Sequence, residues 1–109
     1  MPNPIIDSDG TKRWYNDVGQ YHREDGPAVE LANGSKQWYL NGKLHREDGP
    51  ANEWANGSKE WYLNGQRHRE DGPAGEWWDG DKAWYLNDKV YTEEEFALLQ
   101  FMKGVNVYV

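Results

Sequence analysis

A block of seven residues, His-Arg-Glu-Asp-Gly-Pro-Ala, constrains the fold of this chain more than any other feature. The block occurs three times without a change, at residues 22–28, 45–51 and 68–74. Its copies are followed by a Glu, by a turn that ends in Gly, and by a Trp-Tyr pair at residues 38–39, 61–62 and 84–85. The blocks begin 23 residues apart each time. A fixed spacing of this length is typical of repeat proteins, in which each unit buries apolar surface against its neighbours.

Each unit predicts two short antiparallel strands. The first has the pattern Lys-x-Trp-Tyr-Leu and closes at Asn-Gly, which is typical of a tight hairpin turn. The second runs from the Ala of the block to the residue after the Glu, at residues 28–31, 51–54 and 74–77. We therefore predict a mainly β fold, an antiparallel meander of roughly eight strands in a single sheet, built from about four hairpin repeats.

The chain divides into three segments of one domain that spans residues 1–109. Residues 1–8 are expected to form an N-terminal half-unit, in which Ile5 and Ile6 take the place of a second strand. Residues 9–91 are the repeats. Residues 92–109 change character, because Thr92-Glu93-Glu94-Glu95 is the sequence of a helix capping box.

The capping box predicts a helix from Glu93 to about Lys103 that stops at Gly104. Its apolar residues cover most of its circumference, so we expect it to pack on the last repeats as a cap. Residues 105–109 are then expected to return as a final strand.

Alternation along the first strand of each unit separates two faces. Lys36, Trp38 and Leu40 share one side, whereas Gln37 and Tyr39 share the other. The Trp-Leu side is the more apolar, so we predict that it is buried. The Tyr side is then expected to form an exposed ladder.

Composition and charge exclude several classes of protein. The net charge of -7 argues against direct binding of nucleic acid, which needs an excess of Lys and Arg. The chain has no Cys, and therefore neither disulfides nor thiol chemistry. It shows no secretory signal and no stretch long enough to span a membrane, so we expect a cytoplasmic protein.

The centre of each unit, Asn41-Gly42-Lys43-Leu44-His45 and its copy at residues 64–68, resembles the MORN repeat family in a variant form. Arg46 and Arg69 replace the Gly that usually follows the His in that family. The longer strings around the seven-residue block, and the Thr-Glu-Glu-Glu-Phe tail, resemble small repeat proteins encoded by bacteriophages. The resemblance implies a binding scaffold for proteins or lipids, not an enzyme, and the host cytoplasm as its location.

Metal binding and catalysis are both disfavoured by the repeat spacing. Equivalent His residues of successive units lie about 10 Å apart, too far to share one zinc ion. A mixed site such as His45 with Asp48 stays open, although hydrogen bonds that hold the turn are the simpler role for His. Acidic pairs recur in every unit, whereas an active site is usually singular. Arg46 and Glu47 are more simply explained as partners in a polar ladder between units, and no cofactor is predicted.

The leading function is non-enzymatic binding of a protein partner through an aromatic and charged sheet face, for example by a phage inhibitor of a host or antiviral-defence protein. Two alternatives are sequestration of a nucleotide or glycan between aromatic rings and acidic mimicry of nucleic acid. Pairing of two copies through a sheet edge is a further option. The candidate binding residues are Tyr39, Tyr62, Tyr85, Trp77, Trp78, Arg46, Arg69, Glu47 and Glu70.

Overall fold

The computed structural model describes the backbone of residues 3–105 and the side chains of residues 3–103. Within residues 3–105 the fold is mainly β, with thirteen short strands and one C-terminal helix, which confirms the predicted fold class. The strands are β1 (Ile5–Ile6), β2 (Lys12–Arg13), β3 (Val29–Glu30), β4 (Lys36–Gln37), β5 (Tyr39–Leu40), β6 (Lys43–Leu44), β7 (Asn52–Glu53), β8 (Lys59–Glu60), β9 (Tyr62–Leu63), β10 (Gln66–Arg67), β11 (Gly75–Glu76), β12 (Lys82–Leu86) and β13 (Lys89–Tyr91). The helix is α1 (Glu93–Val105).

Nine of the strands form one antiparallel sheet in the order β1-β2-β3-β4-β7-β8-β11-β12-β13. The hairpins β5-β6 and β9-β10 form separate two-stranded sheets. The described part of the molecule is an elongated slab that measures 57 × 32 × 18 Å. At the N-terminal end, β1 pairs with β2 in the antiparallel manner in which β3 pairs with β4. β1 therefore takes the place of the second strand of a unit.

The strands exceed the predicted number of roughly eight for two reasons. The predicted strand Lys-x-Trp-Tyr-Leu is interrupted at its Trp in the second and third units, and each Asn-Gly or Asn-Asp turn that closes such a strand is followed by a return strand of its own, β6, β10 or β13. The Trp38 N–H donates to the carbonyl of Ala51, in the large sheet, whereas the Trp38 carbonyl accepts from the N–H of His45. The chain therefore leaves the large sheet and enters the hairpin β5-β6 at Trp38. Only β12 runs through the equivalent position without a break.

The hairpin turns have the conformation that their sequence predicts. Asn41 and Gly42 have φ angles of 49° and 80°, the left-handed geometry of a tight turn. The last hairpin reaches the same geometry with Asn87 and Asp88, at 49° and 70°. The replacement of Gly by Asp in the fourth unit thus leaves the turn intact.

A row of alternating charges crosses the large sheet and helps to fix its register. Each Glu of a second strand lies directly opposite a Lys on each of its two neighbouring strands. Opposite charges at directly facing positions stabilise antiparallel pairing. The row is Lys12, Glu30, Lys36, Glu53, Lys59, Glu76 and Lys82.

The buried interior is thin and lies mainly on the other side of the strands. The Ala of each seven-residue block has no exposed surface, and Val29, Asn52 and Glu60 are also buried. These three residues share the side of Gln37 in the strand register. The prediction that the Trp-Leu side is the buried one is wrong except at Trp14, since Trp38 and its later equivalents are only half-buried.

Helix α1 begins as predicted but ends later. The Thr92 Oγ1 accepts from the Glu95 N–H at 3.0 Å, and the Glu95 carboxylate accepts from the Thr92 N–H at 2.8 Å, which completes the capping box. Phe96 is buried, and the helix packs against β12 and β13.

The backbone stays helical through Gly104 to Val105, so the predicted stop at Gly104 is wrong. Val105 therefore does not start a strand, and residues 106–109 of the predicted final strand lie outside the described residues. Within residues 3–105, no helix is long and apolar enough to cross a membrane.

Candidate functional site

The Arg of each seven-residue block is stacked on the Trp of the preceding strand. The Cζ of Arg23 lies 3.9 Å from the ring centroid of Trp14, and the same stacking recurs for Arg46 on Trp38 at 3.8 Å. Arg69 stacks on Trp61 at 3.9 Å. A guanidinium over an indole face gains cation–π attraction, so each Trp is covered by a charged side chain and not by an apolar core.

Hydrogen bonds hold this guanidinium from several sides. The Arg46 Nε donates to Asp48 at 3.0 Å, and its Nη1 donates to the Pro50 carbonyl and to the Glu53 carboxylate at 3.1 and 2.8 Å. The other two blocks repeat this arrangement. The expected Arg46–Glu47 ladder between units is therefore wrong, because Arg46 pairs within its own unit and Glu47 turns elsewhere.

The Gly of the block leaves room for this guanidinium. A Cβ placed on Gly49 would lie 3.0 Å from the Arg46 Cζ, and the same distance recurs in the other two blocks. The Gly at this position therefore reflects the close passage of Arg over the loop backbone, at an ordinary φ angle.

The His of each block orients the Glu two residues later. The Asn64 N–H donates to the His45 Nδ1 at 2.9 Å, so Nδ1 carries no proton and Nε2 carries the proton. The His45 Nε2 lies 3.3 Å from the Glu47 Oε2 and donates to it. The same chain of contacts recurs at His22 and His68, where the His–Glu distances are 3.4 and 3.2 Å.

These contacts shape three acidic ridges, which we define as the Glu-Asp pairs 24–25, 47–48 and 70–71. Their side chains are well exposed, as shown by Glu47 at 83% and Asp48 at 87%. In the second unit, the Arg46 guanidinium binds the carboxylates of Asp48 and Glu53, whereas the Glu47 carboxylate contacts His45. The first two ridges therefore present excess negative charge to their surroundings, whereas in the third ridge Glu70 is also paired with Lys103.

Open clefts separate the ridges. The cleft between the first two ridges has a volume of about 540 Å³, and its lining includes Trp38 and Leu40, which we call the cleft floor. The cleft between the second and third ridges has a volume of about 600 Å³ with Trp61 and Leu63 in the same roles. A third cleft of about 590 Å³ lies between the first ridge and residues 3–4, over Trp14. We call this combination of ridges and clefts the cleft face.

The helix contributes one side chain to the cleft face. The Lys103 Nζ donates to the Glu70 Oε1 at 2.9 Å, while the Glu70 Oε2 accepts from His68. The hydrogen bond from Lys103, and secondly that from His68, lower the pKa of Glu70 below its usual value. The corresponding Oε1 atoms of Glu24 and Glu47 have no hydrogen-bond partner among residues 3–105.

The predicted Tyr residues do not line the clefts. Tyr39, Tyr62 and Tyr85 alternate with the cleft-floor residues and are half-buried, and Tyr39 lies 5.2 Å from Tyr21 between ring centroids. Burial raises the pKa of Tyr39 above its usual value, and its neighbours Tyr21 and Tyr62 add to the shift. This side is therefore partly closed and not an exposed ladder.

A polar network in the third unit closes this second side. The buried carboxylate of Glu60 accepts from the Asn52 amide at 3.0 Å and from the Trp54 indole at 2.9 Å. Arg67 donates to Glu60 at 3.2 Å and to the Tyr62 hydroxyl at 2.9 Å. The network occurs in this unit because Asn52 and Glu60 replace the residues found at these positions elsewhere.

The two adjacent Trp residues have different environments. Trp77 is half-buried and lies over Gly75, where an added Cβ would come within 2.3 Å of its ring. Trp78 is 71% exposed. Neither lines a cleft of the cleft face.

The structure thus places four of the predicted residues on the cleft face, namely Arg46, Glu47, Arg69 and Glu70. It separates them from the predicted Tyr and Trp residues. Sequence reasoning missed the first ridge, although its block is identical to the others. It also missed the cleft floors, because their Trp and Leu residues were assigned to the core.

Among the described side chains, no group of three or more His, Cys, Asp or Glu residues is close enough to hold a metal ion. No family model, no curated protein and no solved structure matches the chain.

Proposed function

We propose that this protein is a non-enzymatic scaffold that binds a basic protein partner through the cleft face. The observation that carries the proposal is the recurrence, in register, of exposed carboxylates beside clefts with apolar floors. A repeated surface of this kind suits an extended partner, as in other repeat proteins. The cleft floors supply apolar contact, and the ridges supply charge complementarity.

The charge of the ridges favours this proposal over a nucleotide ligand and over acidic mimicry. Clefts of this size suit small ligands, but a phosphate group would meet the carboxylates of the ridges. Acidic mimicry of nucleic acid needs a continuous acidic surface, whereas the sheet beside the ridges carries exposed Lys residues that alternate with Glu. A protein partner with basic groups fits both features.

The biological role that we propose rests on sequence resemblance alone. The seven-residue block and its neighbours resemble variant MORN repeats of small bacteriophage proteins. We therefore propose that the partner is a host protein, such as a component of antiviral defence, which the scaffold inhibits in the host cytoplasm.

The test is affinity capture from a bacterial lysate with three forms of the tagged protein. The ridge variant E24Q/E47Q/E70Q removes one carboxylate from each ridge. The matched control D17N/E93Q/E94Q removes three exposed carboxylates elsewhere, so that both variants change the net charge equally. Circular dichroism checks that all three forms are folded.

We expect one protein to be retained by the wild type and by the control but lost from the ridge variant. Equal retention by the ridge variant would reject the cleft face as the binding surface. Displacement of the partner by DNA at modest salt would instead indicate acidic mimicry.

A further inference from the structure

The Lys103–Glu70 contact shows which ligand chemistry a ridge accepts. His68 binds one carboxylate oxygen of Glu70 and thereby aims the other oxygen outward, where it accepts from Lys103. Glu24 and Glu47 are held by their His residues in the same way, and their outer oxygens have no partner within residues 3–105. Both ridges therefore present an oriented acceptor that matches a Lys ammonium group.

The spacing of the ridges restricts the backbone conformation of a partner segment whose Lys residues contact several ridges at once. Each unit contributes two strands to the large sheet, so equivalent positions lie about 10 Å apart. A polyproline II segment has three residues per turn and a rise of about 3.1 Å, so every third side chain lies on one face at intervals of about 9 Å. A β-strand repeats on one face at about 6.6 Å or 13 Å and does not match this spacing.

The cleft floors fit the residues between the Lys residues. Trp38 and Leu40 form one floor and Trp61 and Leu63 the next, each between two acidic ridges. Aromatic-lined grooves are the surfaces that bind Pro-rich segments in this conformation, because such segments lose little conformational entropy on binding.

We propose that the cleft face binds a Pro-containing segment of the partner in the polyproline II conformation, with Lys at every third residue. The Lys ammonium groups contact the outer oxygens of Glu24 and Glu47, and the intervening residues pack on the Trp-Leu floors. This inference rests on the proposed function and specifies the chemistry of the partner.

The test is fluorescence anisotropy with two dye-labelled peptides and the full-length protein at about 0.15 M salt, where exposed charges are screened as in the cell. The first peptide repeats Lys-Pro-Pro. The second has the same composition, with its Lys residues grouped at one end. We expect the periodic peptide to bind at least tenfold more tightly than the grouped peptide.

Three variants assign the contacts. E24Q and E47Q each weaken binding of the periodic peptide about two- to fivefold, the range of an exposed ion pair. D17N, the control for charge, leaves binding unchanged. K103A frees the outer oxygen of Glu70 and is expected to strengthen binding of the periodic peptide by a similar factor, whereas K43A on the exposed strand β6 does not.

Several outcomes would overturn the inference without touching the proposed function. Equal binding of the two peptides would reject the three-residue spacing, and tighter binding of a helical peptide with Lys seven residues apart would assign a helix as the occupant. Failure of both peptides to bind, while capture of a protein partner still depends on the ridges, would reject the polyproline II segment alone. Retention of the partner by the ridge variant rejects the proposed function itself.

Discussion

At the scale of single residues, Arg46 connects the parts of its unit that a larger core would otherwise hold together. Its guanidinium covers Trp38, reaches the Pro50 carbonyl and binds the carboxylates of Asp48 and Glu53. The planar, forked geometry of Arg allows all of these contacts at once. The Trp38 ring can thus stay half-buried without being fully exposed to solvent.

We expect R46K to lower the free energy of unfolding by about 1–2 kcal/mol, because Lys cannot reproduce the forked hydrogen bonds and leaves part-buried acceptors unsatisfied. The measurement is urea unfolding followed by circular dichroism. The reverse exchange K43R, on the exposed strand β6, serves as the control and should change the free energy by less than about 0.5 kcal/mol. Equal effects of the two substitutions would contradict the role given to Arg46.

The turn residue Gly65 provides a second test at this scale. Its φ angle is 80°, and the nearest atom to an added Cβ is 3.7 Å away, so a side chain meets strain in the backbone and no steric overlap. We expect G65A to cost about 1–2 kcal/mol in urea unfolding. G65D should cost less, because Asp88 adopts a φ angle of 70° at the equivalent turn position. An Asp variant as unstable as the Ala variant would disprove this explanation.

At the scale of elements, helix α1 starts where the fourth unit leaves the repeat pattern. Tyr91 and Thr92 stand at the positions that His and Arg occupy in the three blocks. Thr92 caps the helix, whereas the block Arg residues stack on a Trp. Phe96 is buried, whereas Leu98, Phe101 and Met102 are exposed. The helix thereby takes over the end of the sheet, and its Lys103 returns to the third ridge.

The contact between Lys103 and Glu70 should make attachment of the helix sensitive to acid. The pKa of Glu70 is lowered in the folded protein, so its contribution is complete above the unfolded value of about 4.3 and is lost as the pH falls through the lower folded value. We expect the difference in unfolding midpoint between the wild type and K103A to be small but measurable near neutral pH and to vanish in acid. In an E70Q background, K103A should have no effect at either pH; a persistent difference would show that Lys103 acts through another group.

Several elements could be predicted from the sequence because their signals are local. Asn41-Gly42 encodes the hairpin turn, and Thr92 with Glu95 encodes the helix cap. The bend at Trp38 could not be predicted, because alternation along one strand says nothing about which partner each half of it chooses. The burial of the two faces was misassigned because an apolar pattern does not reveal that a guanidinium covers the Trp.

The candidate site was predictable only where partners are adjacent in sequence. Glu47 follows His45 closely, so their neighbourhood was evident, and Arg46 and Glu47 do line the same cleft. Which carboxylates Arg46 binds depends on the path of the loop between them, and the contact of Lys103 with Glu70 spans 33 residues. Contacts of this kind depend on tertiary packing, which the repeat pattern does not encode.

At the scale of the whole molecule, the units are interchangeable to a large extent. The Arg–Asp hydrogen bond is 2.9 to 3.0 Å long in all three blocks, and the Arg–Glu hydrogen bond is 2.8 to 3.3 Å long. Stability in such arrays is approximately a sum over units and the interfaces between neighbours.

We therefore expect a chain that lacks residues 46–68 to fold. The deletion joins His45 to Arg69, which restores an unbroken block, and it removes one ridge and one cleft. Its circular dichroism spectrum should retain the β signature, with a lower unfolding midpoint, because one unit and one interface are lost. Deletion of residues 40–62 also removes one unit in the repeat phase and serves as a comparison; unfolded chains in both cases would contradict the additive picture.

The alternating Lys and Glu row has a consequence for how the chain finds its alignment. Because the same charges recur in every unit, a strand that pairs one whole unit out of register still lies opposite a residue of opposite charge. The row therefore does not distinguish the correct register from one shifted by a whole unit. The pair of Asn52 and Glu60 occurs once. If the strands pair one whole unit out of register, Asn52 and Glu60 no longer lie opposite each other. A single buried polar pair thus labels one place in an otherwise periodic chain, and the half-unit and the helix label its two ends.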